Sequence, residues 1–467
     1  MTNILQAKIK SFLFTPSWFW MAIATLFATS LALRFWELGQ FNTLVFDEVY
    51  YVKYAQNYLN RTPFFDVHPP LGKYLIAIGI WVSKLHFWNP TGQTTAFGYR
   101  WLNALTGSLI PLIVAGIAYQ LSYRRSYAFI AALFASADGL LLVESRYAFL
   151  NIYLVFFGLL GQWCFLIALA QKSLLRWLYL ILAGIFFGCS AAVKWYGLGF
   201  WLGICAVWAS ARIVSWWQRD RKLSLSTIEG IKLPFWQNLS KLKLFPLFIF
   251  LGVIPVVVYC LLWIPHLQLD RERGFWELHQ KSWTFHQQLG SSSKIHPYCS
   301  PWYSWVIMVR PVAYFFEKSG NSAQSTVYDV HGMGNPILWW LAAIAMLILV
   351  GIIVQQVYVR ERKRQQEFNF SIPLYLLLNY GANWLPWMLV HRCAFLYYYM
   401  PASIFGFLAI AYLVDRWLHS DNLWWRAIAV NVTFLILMGF AYWLPIYLGL
   451  PLSREAFDHR MWFRSWY

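Results

Sequence analysis

The chain has 467 residues, of which 60% are hydrophobic, 20% aromatic and only 12% charged, against roughly 25% charged in an ordinary soluble domain. That balance excludes a soluble multi-domain protein, because so little polar surface leaves lipid as the solvent for much of the chain. The net charge of +18 does not point to nucleic acid, since the Lys and Arg residues fall in clusters between apolar runs and not on one face, a pattern that fits membrane topology and anionic headgroups.

The first apolar run follows Lys8 and Lys10, and no small-residue cleavage site comes after it, so it is expected to remain as an uncleaved span over Ser17–Trp36. Further spans are expected at Trp101–Leu121, Tyr127–Val143, Phe149–Ala170, Leu175–Val193, Gly197–Val214 and Phe245–Pro265, then at Pro336–Gln356, Ser371–Val390, Leu396–Val414 and Trp425–Ile446, about eleven in all. Every second loop is basic. Lys8/Lys10, Arg124/Arg125, Lys172/Arg176, the stretch holding Arg212, Arg219, Arg221, Lys222, Lys232, Lys241 and Lys243, then Arg360/Arg362/Lys363/Arg364 and Arg416/Arg426 share one side. The positive-inside rule makes that side cytoplasmic, with the N-terminus inside and the C-terminal tail outside a plasma membrane.

The expected architecture is a single all-α, membrane-embedded domain over 1–467, with a cytoplasmic basic loop at 215–244 and two long outer loops, 37–100 and 266–335. Leu71–Leu85 is apolar but only about 15 residues long, the length of an interfacial or re-entrant segment, and is expected to lie along the outer leaflet. Gly290-Ser291-Ser292-Ser293 marks a turn or flexible stretch in the second loop. The six cysteines contain no CxxC pair and most lie within apolar runs, so no disulfide framework is expected.

The chemistry-bearing residues gather outside. Asp47 and Glu48 follow the first span, and two adjacent acids beside a membrane need solvent, a cation or a partner to stay ionised; in a wet cleft they can take a proton from an alcohol. His68 and Lys73 bracket Pro69-Pro70 and place a cation at headgroup height, suited to a lipid phosphate. Arg100 or Arg146 can take a phosphate bidentately, with Asp138 or Glu144 holding the arginines or ligating a divalent ion; a Glu144–Arg146 rim salt bridge is the plainer alternative. Lys194 stands beside aromatics at a span end, and the aromatic stretch from His296 runs to Arg310. No HExxH, no GxSxG, no Walker loop and no GxGxxG is present, so zinc, serine-nucleophile, nucleotide-driven and dinucleotide chemistry lack their motifs.

Taken in order, Phe46-Asp47-Glu48, His68-Pro69-Pro70-Leu71-Gly72-Lys73, Asp138-Gly139-Leu140 through Glu144-Ser145-Arg146-Tyr147, Lys194-Trp195-Tyr196-Gly197, Ser300-Pro301-Trp302 to Arg310-Pro311, Phe395-Leu396-Tyr397-Tyr398-Tyr399-Met400-Pro401 and Arg460-Met461-Trp462 resemble the protein O-mannosyltransferase family, in its compact bacterial form without a β-trefoil insert. The resemblance implies a GT-C fold and inverting transfer of mannose from a polyprenyl-phosphate donor to Ser or Thr hydroxyls of a translocated protein. It implies Asp47 as base, Glu48 as its support and Arg100 as a phosphate or acceptor contact. Relatives often carry Asp where this chain has Asn151, which removes a carboxylate there. The sequence requires no divalent cation such as Mg or Mn, because Lys73, Arg146 and Lys194 can stabilise a leaving phosphate themselves. Two other readings are a GT-C transferase acting on a lipid or glycan, as aminoarabinose transferases do, and a secondary transporter or flippase, whose ionisable residues belong mid-bilayer.

Overall fold

The computed structural model describes residues 16–85, 92–220, 238–290, 296–319, 325–363 and 370–467; most of the basic loop 215–244 and the Ser291–Ser293 part of the expected turn lie outside them. Among the described residues nine helices are long and apolar enough to cross a membrane. They are α1 (Ser17–Phe35), α4 (Ala96–Ser122), α7 (Asn151–Ala170), α8 (Ser173–Val193), α9 (Trp195–Trp216), α10 (Leu244–Leu269), α12 (Pro336–Tyr358), α14 (Leu396–Leu418) and α15 (Leu423–Leu448). The pair α5 (Arg125–Ser136) and α6 (Gly139–Arg146), bent by 59°, makes a tenth.

The bend has a local cause: Asp138 leaves helical geometry and caps α6 by accepting from Leu141 N at 3.1 Å. Its other oxygen takes the Trp339 indole N–H at 2.8 Å, fixing the break against α12. The span expected over Ser371–Val390 is a 14-residue helix, α13 (Ser371–Trp384), prolonged by a 3₁₀ turn at Leu385–Leu389. Two short helices, α2 (Glu48–Leu59) and α3 (Leu71–Ser83), fill the 37–100 loop. At 13 residues α3 rises about 20 Å, short of the roughly 30 Å hydrocarbon layer.

The helix α14 is enclosed by protein along nearly its whole length, whereas α1, α10 and α15 present most of their surface outward, as lipid-facing helices do. Polar side chains tie the interior. Gln162 donates to the Phe200 carbonyl at 2.8 Å and to Asn379 Oδ1 at 2.6 Å, joining α7, α9 and α13. Gly203 makes room for that amide, since a Cβ there would stand 2.1 Å from Asn379 Oδ1. At the opposite end from the long loops, Asp415 of α14 pairs with Arg124 at 2.9 Å and accepts from Ser126 at 2.5 Å.

The 266–335 loop adds a small sheet to the mostly helical fold. It carries α11 (Phe275–Gln288) and an antiparallel hairpin of β1 (Val312–Ser319) and β2 (Thr326–Gly332), to which β3 (Leu452–Ser453) adds from the C-terminal tail. Both long strands are rich in Val, Tyr and Phe, residues that fit a pleated, half-buried surface. A bulge between Ala313 and Phe315 leaves Tyr314 without a cross-strand partner and turns its side chain inward.

The expectation of no disulfide is corrected by a Cys299–Cys393 bond, which links this loop to the one after α13. Both cysteines sit outside the apolar runs that hold Cys164, Cys189, Cys205 and Cys260, and their separation of 94 positions gives no sequence spacing to notice.

Candidate active site

The 37–100 loop is built around Glu48. Its carboxylate accepts from Arg100 Nε at 2.9 Å and Nη2 at 2.7 Å, from Val45 N at 2.9 Å and from Ala148 N at 2.8 Å. Arg100 also donates to the carbonyls of Leu38 at 3.2 Å, Phe41 at 2.8 Å and Thr43 at 2.9 Å. All its N–H groups are thereby engaged, leaving no donor for a phosphate, and both charges are buried. This fork ties residues 38–48 to α4 and to the turn after α6.

The backbone next to Glu48 is strained. Phe46 has φ of 49°, in the left-handed region that non-glycine residues rarely adopt. Its ring stacks on Tyr314 with centroids 4.9 Å apart and meets Phe149, His296 and Phe395 edge-on, contacts that hold the conformation. The turn delivers Asp47, half-buried, to the N-terminus of α2, where Tyr51 OH approaches its Oδ2 at 3.4 Å. Burial raises the Asp47 pKa above the usual carboxylate range, an effect that Lys194 and Tyr51 oppose and Asp66 reinforces.

Lys194, at the C-terminal end of α8, faces Asp47 across a ring-lined space. Its ammonium stands 5.5 Å from the Tyr51 ring centre, 5.7 Å from Tyr397 and 5.9 Å from Tyr398. Asn151 positions it: Oδ1 accepts from Lys194 at 2.9 Å and from Tyr196 OH at 2.8 Å, while Nδ2 donates to Glu144 at 3.0 Å. The other Glu144 oxygen takes the Tyr314 hydroxyl. An Asp at 151 has no donor for Glu144, so the amide suits this chain's network.

Lys73 pairs with Asp66 and donates to the His68 carbonyl at 2.7 Å. Close packing seats it: a Cβ on Gly72 would come within 2.8 Å of Leu150. His68 and His286 face each other with ring centres 5.8 Å apart. Burial holds the His68 pKa well below its ordinary value, with Lys194, Lys73, His286 and Arg392 adding to the effect. His286 is pushed down to about 4 by burial, then by Arg392 and Lys194. The Arg392 guanidinium lies 5.4 Å over the Tyr398 ring. Cationic and neutral nitrogen donors thus surround one spot beside Asp47, an arrangement that attracts an anion.

Both imidazoles resist protonation in the fold, whereas in the unfolded chain they take up a proton near the ordinary histidine value of 6.5. The unfolded state therefore binds more protons below that pH, and stability is expected to fall as pH drops from about 6.5 toward about 4. Thermal melts across that range check this, with a flatter slope for His68→Asn/His286→Gln than for the parent chain.

Asp47, His68, Lys73, Glu144 and Lys194 are gathered here. The other five expected residues serve elsewhere, Glu48 in its fork with Arg100. Arg100 serves the Glu48 fork and Asp138 caps α6. Arg146 donates to the carbonyls of Leu33 at 2.8 Å and Trp36 at 2.7 Å, closing the end of α1. It forms no bridge to Glu144, two positions away along a helix, where side chains diverge. Arg310 binds the Pro297 carbonyl at 2.5 Å on the loop before β1. The residues sequence reasoning did not single out are Asp66, His286, Tyr314 and Arg392. Arg392 carried a signal, because an arginine in a short loop expected on the outer side departs from the positive-inside pattern.

The profile described as dolichyl-phosphate-mannose-protein mannosyltransferase matches residues 24–269, and that of the C-terminal four TMM region of protein-O-mannosyltransferase matches residues 271–466. A polyprenol-phosphate-mannose–protein mannosyltransferase of Mycolicibacterium smegmatis is 27% identical over 501 residues, covering 96% of this chain and 93% of that protein. One from Corynebacterium glutamicum is 26% identical over 527 residues, covering 95% and 92%. In fold the chain is similar to the Saccharomyces cerevisiae protein O-mannosyltransferase Pmt1–Pmt2 complex bound to the sugar donor, with a TM-score of 0.80 at 16% identity over 97% of this chain and 93% of that one. The Archaeoglobus fulgidus oligosaccharyltransferase shares the architecture at a TM-score of 0.51 and 16% identity, over 96% of this chain and 58% of its own.

Proposed function

Because the chain belongs to the dolichyl-phosphate-mannose–protein mannosyltransferase family, we propose that it transfers mannose from a polyprenyl-phosphate carrier to serine or threonine hydroxyls of proteins at the outer face of the plasma membrane. The observation that carries the reading is the placement of one half-buried carboxylate, Asp47, beside a cluster of nitrogen cations at the outer helix ends. The full-length similarity to enzymes named for that reaction supports it.

Asp47 is the base. Its raised pKa brings proton affinity closer to that of the working solution, and a position within about 3 Å of an acceptor hydroxyl lets it take the proton as the oxygen attacks the anomeric carbon. Glu48 is locked in the Arg100 fork and Asp66 in the Lys73 pair, so neither is free to act as a covalent nucleophile. One free carboxylate favours a single displacement with inversion. The charge growing on the leaving phosphate is met by Lys194 and Arg392, with His68 and Lys73 nearby. Asp138 and Arg146 hold the helices that frame the site, and Arg310 the loop before β1.

Taking α13 with its 3₁₀ extension as a further crossing beside the ten gives eleven, and with the N-terminus inside all of these residues lie outside. The Cys299–Cys393 bond supports the same orientation independently of charge, because disulfides persist in oxidising compartments. Membranes incubated with labelled polyprenyl-phosphate-mannose are expected to carry label on protein Ser/Thr. Label confined to lipid or glycan sinks the protein-acceptor assignment in favour of the lipid-modifying alternative. The family match leaves no support for the transporter reading.

A further inference from the structure

The segment that carries Arg392 has little structure of its own: it joins the 3₁₀ turn Leu385–Leu389 to the next one at Leu396–Tyr399. Its shape comes from the second outer loop. Cys393 N donates to the Gly290 carbonyl at 2.8 Å, Ser300 N donates to the Ala394 carbonyl at 2.9 Å, and the Cys299–Cys393 bond lies between these links. Immediately before Cys393, Arg392 extends over Tyr398, while two residues later Phe395 meets His296 and Phe46, the residue that sets Asp47. The Arg392 guanidinium reaches the Cys393 carbonyl at 3.2 Å and the Tyr398 hydroxyl, and two contacts among its five N–H donors leave others for an anion. Both cysteines also line a cavity of about 460 Å³ with Trp302, Trp305, Trp387 and Arg392, which gives a small reagent access to the bond.

We propose that the Cys299–Cys393 disulfide is the positioning element that holds Arg392 over the donor phosphate, so that affinity for the lipid donor depends on this bond. The inference rests on the phosphate assignment made above for Arg392. Two-electron, two-proton reduction by a dithiol opens the bond to two thiols and oxidises the dithiol to its own disulfide. The backbone links alone then leave the 390–395 segment free to swing.

The test uses the full chain in proteoliposomes, with polyprenyl-phosphate-mannose and a serine-containing peptide. Cys299→Ala/Cys393→Ala is expected to raise the donor KM roughly ten-fold with kcat and peptide KM nearly unchanged, and Arg392→Ala to raise it roughly ten- to a hundred-fold. Combining the changes is expected to give no more than Arg392→Ala alone. Full additivity, or a loss confined to kcat, overturns the positioning role. A donor KM that Arg392→Ala leaves unmoved sinks the phosphate assignment itself, whatever the cysteine variants do. If the cysteine variant does not fold, reversible dithiol treatment replaces it: the parent chain should lose donor affinity and recover on reoxidation, and Arg392→Ala should be insensitive. A parent chain that is indifferent to complete reduction overturns the proposal.

Discussion

Asp47→Asn is expected to lower kcat by roughly a hundred- to ten-thousand-fold, the usual cost of removing a general base, with the thermal midpoint and the donor KM close to those of the parent chain. The replacement is nearly isosteric, and an amide oxygen still accepts from Tyr51. Neither Glu48 nor Asp66 can take over. Glu48 accepts four hydrogen bonds in the Arg100 fork, and Asp66 is bound to Lys73 and to Val67 N at 2.8 Å. In the parent chain activity should fall on the acid side, since the base must be ionised to act. Because burial raises the Asp47 pKa, that limb should lie at higher pH than for an exposed aspartate. Wild-type turnover in Asp47→Asn removes this residue from the mechanism, and an acid limb at the ordinary aspartate value removes the effect of its burial.

Sequence patterning made the spans legible because lipid imposes a length and a polarity on each of them, and α1, α8 and α15 fall within a few residues of expectation. It also made Asp47, Lys73 and Lys194 visible, as charges close to the ends of apolar segments. Sequence did not reveal which charges face one another. Arg100 and Glu48 are 52 positions apart, and nothing in either segment declares that one guanidinium will satisfy one carboxylate and three carbonyls. Tyr314 enters the site only because a bulge rotates it, a property of strand register and not of composition. Arg392 reaches it through a bond to a cysteine 94 positions away. Contacts of this kind depend on long-range pairing, which local periodicity does not encode.

The Glu48–Arg100 fork makes the second large prediction. Arg100→Ala strands a buried carboxylate and three carbonyls, and breaking a buried pair in this way costs roughly 3–5 kcal/mol. The thermal midpoint should drop and kcat should fall, because the 38–48 loop no longer fixes Phe46 and Asp47. The donor KM of the remaining folded enzyme should stay near that of the parent, whereas a direct phosphate contact by Arg100 requires it to rise. The companion variant Glu48→Leu/Arg100→Met separates charge from geometry. Removing both ions leaves no uncompensated buried charge, so stability should recover much of the loss. Activity should not recover with it, since the carbonyls of Leu38, Phe41 and Thr43 and the amides of Val45 and Ala148 still lack the groups that drew them together. A doubly substituted enzyme with parental kcat would show that the fork serves stability alone, and that packing of Phe46 is enough to set the base.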